Sequence, residues 1–126
     1  MNIVKPILAL ILFALNTNAF AAPNYTIYLV RHAEKQQGSD NPHLTQCGKF
    51  RAMQLSQMLK NVELKKIYST SYFRTLETAT PTAELMGLGI KQYAPNGLLQ
   101  LARQVKQDKE NVLIVGHSLT VLCALL

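Results

Sequence analysis

The chain has 126 residues, 48% of them apolar and 16% charged, with a mean hydropathy of +0.07. That length suits one domain, and the composition excludes a disordered or fibrous class. Thirteen Lys and Arg against seven Asp and Glu give a net charge of +6, yet the only adjacent basic pair is Lys65-Lys66. With no basic stripe and no interleaved aromatics, nucleic acid is not the expected partner, and a small anionic substrate fits better.

In chain order, residues 1 to 21 come first and read as a secretory signal peptide: Lys5, an apolar run from Ile7 to Leu15, then Ala19-Phe20-Ala21 before Ala22. Nine apolar residues fall short of the roughly 20 that a membrane span needs, so no stable membrane insertion is expected once the signal is removed. Taking residues 1 to 21 from 126 leaves 105, a domain over 22–126 in an exported protein, periplasmic or secreted. With Lys5 gone, 12 basic side chains face 7 acidic ones.

Thr26 to Val30 is β-branched and aromatic, a strand signature. The loop Gln36 to His43, with Gly38, Asp40, Asn41 and Pro42, follows it. Thr45 then caps a helix whose Ala52, Leu55, Leu59 and Val62 recur at three- and four-residue steps. Lys66 to Ser69 reads as a second strand. Ser71 is the expected cap of the next helix, with Tyr72, Leu76, Ala79, Ala83 and Met86 inward, a kink or break at Pro81, and closure at Gly87 and Gly89. Ile90 to Tyr93 is a candidate edge strand. Asn96 caps a helix carrying Leu98, Leu101, Ala102 and Val105, and Val112 to Val115, apolar without alternation, predicts a strand covered on both faces. The order β-α-β-α-β-α-β-α predicts an α/β fold, a three-layer sandwich around a mostly parallel central sheet. Two cysteines, Cys47 and Cys123, do not make a disulfide framework, and whether they pair is open.

Ligands of open parallel sheets bind beyond the carboxyl ends of the strands. Three such ends carry polar residues: Arg31-His32-Ala33-Glu34-Lys35 after Val30, Ser69-Thr70-Ser71 with Arg74 one turn on, and Gly116-His117-Ser118 after Val115. Taken singly each has a plainer account, such as a structural histidine, or Arg74 paired with Glu77 at i, i+3. Together they place two histidines and two arginines at one edge of the sheet.

These residues resemble the histidine phosphatase superfamily, also called phosphoglycerate mutase-like. The resemblance rests on Arg31-His32, on Arg74 within Tyr68-Ser-Thr-Ser-Tyr-Phe-Arg-Thr-Leu-Glu-Thr-Ala79, on His117 within Val112-Leu-Ile-Val-Gly-His-Ser118, and on Leu44-Thr-Gln-Cys-Gly48. It implies the phosphoglycerate mutase-like fold and a phosphatase of small phosphorylated substrates. In that chemistry His32 is the nucleophile that forms a phosphohistidine, and Arg31 and Arg74 grip the phosphoryl oxygens as planar forks. His117 donates to the same oxygens when protonated, Ser118 joins the substrate contacts, and free amides after Ser71 add an anion-binding helix end. No metal and no other cofactor are implied.

The sequence departs from the family at several points. Ala33 stands where Gly is more common, His117 is followed by Ser118 rather than Asp, and Tyr93-Ala-Pro-Asn-Gly-Leu98 holds no donor Glu. The proton donor is therefore unidentified, with Glu34 and Asp40 the nearest candidates. The chain ends nine residues after His117 on an apolar, uncapped Leu125-Leu126, which points to truncation at the C-terminus. One alternative is a phosphate-binding member of the fold without turnover. Another is a serine esterase, since Gly116-His117-Ser118-Leu119-Thr120 nearly spells Gly-x-Ser-x-Gly with Ser118 as nucleophile. Thr120 in place of Gly, and no acid or His beyond Ser118, oppose that reading.

Overall fold

The structure is a computed structural model describing residues 24–117; the expected signal peptide, Ser118 and Cys123 lie outside the described residues. Its elements are β1 (Ile27–Arg31), α1 (Gln46–Leu59), β2 (Lys66–Ser69), α2 (Phe73–Met86), β3 (Ile90–Gln92), α3 (Leu98–Asp108) and β4 (Val112–Gly116). The strands lie in the order β1-β4-β2-β3, and each neighbouring pair is parallel. Among the described residues the sheet is thus wholly parallel. No helix there is long and apolar enough to cross a membrane.

The unbroken apolar run of β4 occupies the centre of the sheet, and Val112 to Val115 are fully buried. Because alternate strand side chains face opposite ways, Leu113 and Val115 pack with Leu59, Ile67, Ala79 and Ala83 in one cluster. Val112 and Ile114 pack with Tyr68, Leu101 and Val105 in the other. Helices α1 and α2 supply the first cluster and α3 the second, which makes the three layers. Each fully buried Val, Leu or Ile contributes about 1.5–3 kcal/mol, and the centre of β4 spends this on both faces.

Helix α1 starts as its sequence predicts, with Thr45 Oγ1 accepting from the Gly48 amide at 3.0 Å. A Cβ at position 48 would sit 2.2 Å from the Glu34 carbonyl oxygen. Only glycine fits, and it lets the first turn of α1 press on the segment that follows β1. The Thr45 amide donates to the same carbonyl at 2.8 Å.

Helix α2 departs from expectation at its start. Ser71 is not the cap; the cap position is Tyr72, without a side-chain hydrogen bond. The Phe73 amide instead donates to Asn41 Oδ1 at 2.9 Å, across 32 residues of sequence. Asn41→Ala is accordingly expected to destabilise the protein by about 1 kcal/mol, the usual cost of a lost N-cap. An unchanged denaturant midpoint would show that this contact adds nothing.

Pro81 does not interrupt α2, which runs unbroken to Met86. One backbone donor is lost there, while buried Ala79, Thr82 and Ala83 hold the turns on either side against the sheet. Gly87 closes the helix at φ +64°, and the Leu88 amide reaches back to the Ala83 carbonyl at 2.9 Å. Helix α3 is capped at Gly97 rather than Asn96, and a glycine has no side chain to accept from the first turn; the Gly97 amide donates to the Ala94 carbonyl at 2.8 Å.

Candidate active site

Strand register assembles the site. Arg31 lies opposite Gly116 in the β1–β4 pair, and Ser69 lies opposite Val115 in the β2–β4 pair. One residue further along, the chain brings His32, Thr70 and His117 to the carboxyl edge of the sheet. The His32 amide donates to the Gly116 carbonyl at 3.0 Å, and the rings of His32 and His117 meet edge-on with centroids 5.7 Å apart.

His32 Nδ1 lies 2.8 Å from the Ala33 carbonyl oxygen. A carbonyl only accepts, so Nδ1 carries the proton and the neutral ring keeps its lone pair on Nε2. The backbone that holds this ring is itself tied down: the Ala33 amide donates to Thr78 Oγ1 at 3.0 Å, whose hydroxyl donates to the Arg74 carbonyl at 2.6 Å. Thr78 therefore locks the segment after β1 to the first turns of α2.

Arg74 does not pair with Glu77. That carboxylate instead accepts from His43 Nδ1 and, at 2.8 Å, from the Leu44 amide. The Arg74 guanidinium lies 4.5 Å from the centroid of the Tyr72 ring, and Tyr72 in turn meets His117 edge-on at 4.9 Å. Arg74 Nε and Nη1 and His117 Nδ1 are buried without a hydrogen-bond partner among the described residues. Unpaired buried guanidinium donors are costly, and a phosphoryl group would satisfy them.

Burial, with the positive fields of Arg74, Arg31 and Lys35, holds His32 below the ordinary histidine range, although its bond to Ala33 pulls the other way. Burial, then Arg74, His32 and Arg31, lower His117 as well. Both rings are therefore neutral at pH 7, and Arg31, exposed at the end of β1, belongs electrostatically with the pair.

Other expected residues fall outside this group. The Glu34 carboxylate pairs with Arg51, and its own backbone amide together with Arg51 keeps it below the usual range. Asp40 is exposed in the loop before α1, with no hydrogen bond or ion pair among the described residues that ties it to either histidine. The anion-binding helix end expected after Ser71 is closed at its first amide, since Phe73 N–H is held by Asn41. Ser118 lies outside the described residues, and Cys47 is exposed on α1. Among the described residues, no three His, Cys, Asp or Glu side chains gather as a metal site.

Thr70, Thr75 and Thr78 complete the site; the sequence places Thr70 at a polar strand end but assigns none of the three a role. All three are buried, and the one available signal was their clustering around Arg74. A wide groove of about 790 Å³ between α1 and α2, lined by Phe50, Met53, Pro81 and Leu85, holds neither a histidine nor an arginine. It lacks the groups for phosphoryl chemistry, so the strand-end cluster remains the candidate site.

Solved structures share this fold. A Bacillus stearothermophilus protein, YhfR, is 26% identical over 80% of this chain and 77% of its own, with a TM-score of 0.62. A putative phosphohistidine phosphatase, SixA, from Agrobacterium tumefaciens is 19% identical over 79% of this chain and 73% of its own, at 0.65. A mycobacterial glucosyl-3-phosphoglycerate phosphatase in complex with inorganic phosphate is 15% identical over 77% and 74%, at 0.59. No curated protein sequence matches the chain. The profile of the histidine phosphatase superfamily (branch 1) matches residues 27–95, from the first residue of β1 through β3. With the Arg31-His32 strand end and Arg74 inside that span and His117 beside them in space, this chain belongs to that superfamily.

Proposed function

We propose that the protein is a metal-independent phosphatase that hydrolyses phosphomonoesters or phosphoramidates through a phosphohistidine on His32. The observation that carries this reading is the hydrogen bond from His32 Nδ1 to the Ala33 carbonyl, which leaves Nε2 as the basic nitrogen of a neutral ring. Nε2 attacks phosphorus in line, and the bond to the leaving oxygen or nitrogen breaks with its electron pair. Water then cleaves the phosphorus–nitrogen bond, releasing phosphate and restoring the imidazole. Arg31, Arg74 and protonated His117 offset the charge on the phosphoryl oxygens, the task a metal ion performs elsewhere. Burial first, and then the arginine fields, hold His117 neutral; a bound dianion opposes those fields and favours the donor form when substrate is present.

The test is hydrolysis of an aryl phosphate by the purified protein, with and without chelator. Equal rates are expected, and complete loss in chelator would refute the metal-free step. Cleavage of an aryl acyl ester instead would indicate the esterase, and phosphate binding without any turnover would indicate the binding member.

Arg74 gives a second check. A lysine presents one point charge and cannot span two oxygens, so Arg74→Lys is expected to be nearly as harmful as Arg74→Ala. Each should lower kcat/KM by about 10²–10³, the scale of losing a preorganised oxyanion donor. A lysine variant close to the parent would deny the bidentate grip.

A further inference from the structure

Thr70 follows β2 and is 1% exposed, and Thr75, in the first turn of α2, is fully buried. Thr70 Oγ1 lies 2.7 Å from His117 Nε2 and 2.7 Å from Thr75 Oγ1. The Thr75 hydroxyl donates to the Tyr72 carbonyl at 2.9 Å and to the Thr70 carbonyl at 3.1 Å. Two of the three close contacts of the Thr75 hydroxyl are to carbonyls, which only accept, and a proton directed to them leaves Thr75 Oγ1 as the acceptor in its third contact, with Thr70 Oγ1. The close contact between the two hydroxyl oxygens then requires the Thr70 proton. Only lone pairs of Thr70 Oγ1 remain for the imidazole, and its contact with Nε2 is a hydrogen bond only if Nε2 carries the proton.

Resting on the phosphatase reading above, we propose that Thr70 and Thr75 are positioning residues whose hydroxyl chain holds neutral His117 as its Nε2–H tautomer and leaves Nδ1 to meet the phosphoryl group. Nδ1 is the buried ring nitrogen without a partner among the described residues, as this assignment requires. The other charged and titratable groups around the ring are His32 and Arg31 from the end of β1, Arg74 and Tyr72 from the start of α2, and Tyr93 beyond β3. The Tyr93 hydroxyl donates to the Val115 carbonyl at 3.2 Å. None of these hydrogen-bonds to His117 among the described residues, so the tautomer depends on the threonines. A ring anchored through Nε2 offers a fixed nitrogen to a phosphoryl oxygen and gains its second proton there when an anion is bound.

The experiment reads the ring directly. The full chain with isotope-labelled histidine is followed by long-range proton–nitrogen correlation above the lowered His117 pKa, with His117→Asn to assign the signals. The parent and Thr70→Ser should show Nε2–H with a bare Nδ1. Thr75→Val removes the acceptor of the Thr70 proton, which then turns to Nε2 and moves the ring toward the Nδ1–H form. Thr70→Val removes the anchor, and both forms should appear. On an aryl phosphate, Thr70→Val should lower kcat/KM by roughly tenfold to a hundredfold, less than the about 10²–10³ of losing a donor outright, and Thr70→Ser should recover most of that loss. A bare Nε2 in the parent, or one tautomer retained in both valine variants, overturns the proposal. A tautomer that responds as described in a protein inert toward aryl phosphates overturns the phosphatase reading and leaves the hydroxyl chain standing.

Discussion

His32→Ala is expected to abolish turnover, with a fall in kcat on the order of 10⁴ or more, the scale seen when a covalent nucleophile is removed. The size follows from geometry: the Ala33 carbonyl fixes the His32 proton on Nδ1 and leaves Nε2 as the nucleophilic nitrogen. His32→Gln should still bind phosphate, because Arg31, Arg74 and His117 remain. The acid limb of the parent kcat/KM profile belongs to the coupled histidine pair. Protonation removes the nucleophilic lone pair, so the rate should hold through the free-histidine value of 6.5 and fall only as pH drops through the lowered value of His32. Turnover by His32→Ala at the parent rate would place the nucleophile elsewhere.

Much of this site is legible in the sequence because it sits where strands end, and strands built from unbroken apolar runs are the easiest elements to locate. Val112 to Val115 is one such run, and the register it sets with β1 and β2 is enough to bring His32 beside His117. The Leu44-Thr-Gln-Cys-Gly48 stretch is legible too, since a local cap and a glycine at a close approach leave a local pattern. What escapes is tertiary. Asn41 caps α2 from 32 residues away, so Ser71, the nearest hydroxyl, looked like the cap. Spacing suggested an Arg74–Glu77 pair, but the Glu77 carboxylate is taken by His43 and Leu44 from the preceding loop. Thr75, Thr78 and Thr82 read as polar positions on a binary pattern yet are buried. Their methyl groups pack as small apolar groups, and Thr75 and Thr78 return their hydroxyls to backbone carbonyls within the same turn.

The second large effect expected is a steep dependence of rate on the leaving group. An alkoxide departs poorly unless it is protonated as the bond breaks, and a positioned general acid typically contributes about 10²–10⁴ in rate. Neither carboxyl near the start of the chain's site region suits that role. Glu34 is ionised and paired with Arg51, and Asp40 stands exposed in its loop. Aryl phosphates, or phosphoramidates such as phosphohistidine, whose nitrogen takes its own proton from water, leave without such help and are the expected substrates. The measurement compares kcat/KM for aryl phosphates of graded leaving-group pKa with that for an alkyl phosphate. A steep fall toward the alkyl ester, by about 10² or more, is the expected result. A flat series would mean that a proton is delivered after all, and Glu34→Gln and Asp40→Asn would then show whether either carboxyl delivers it.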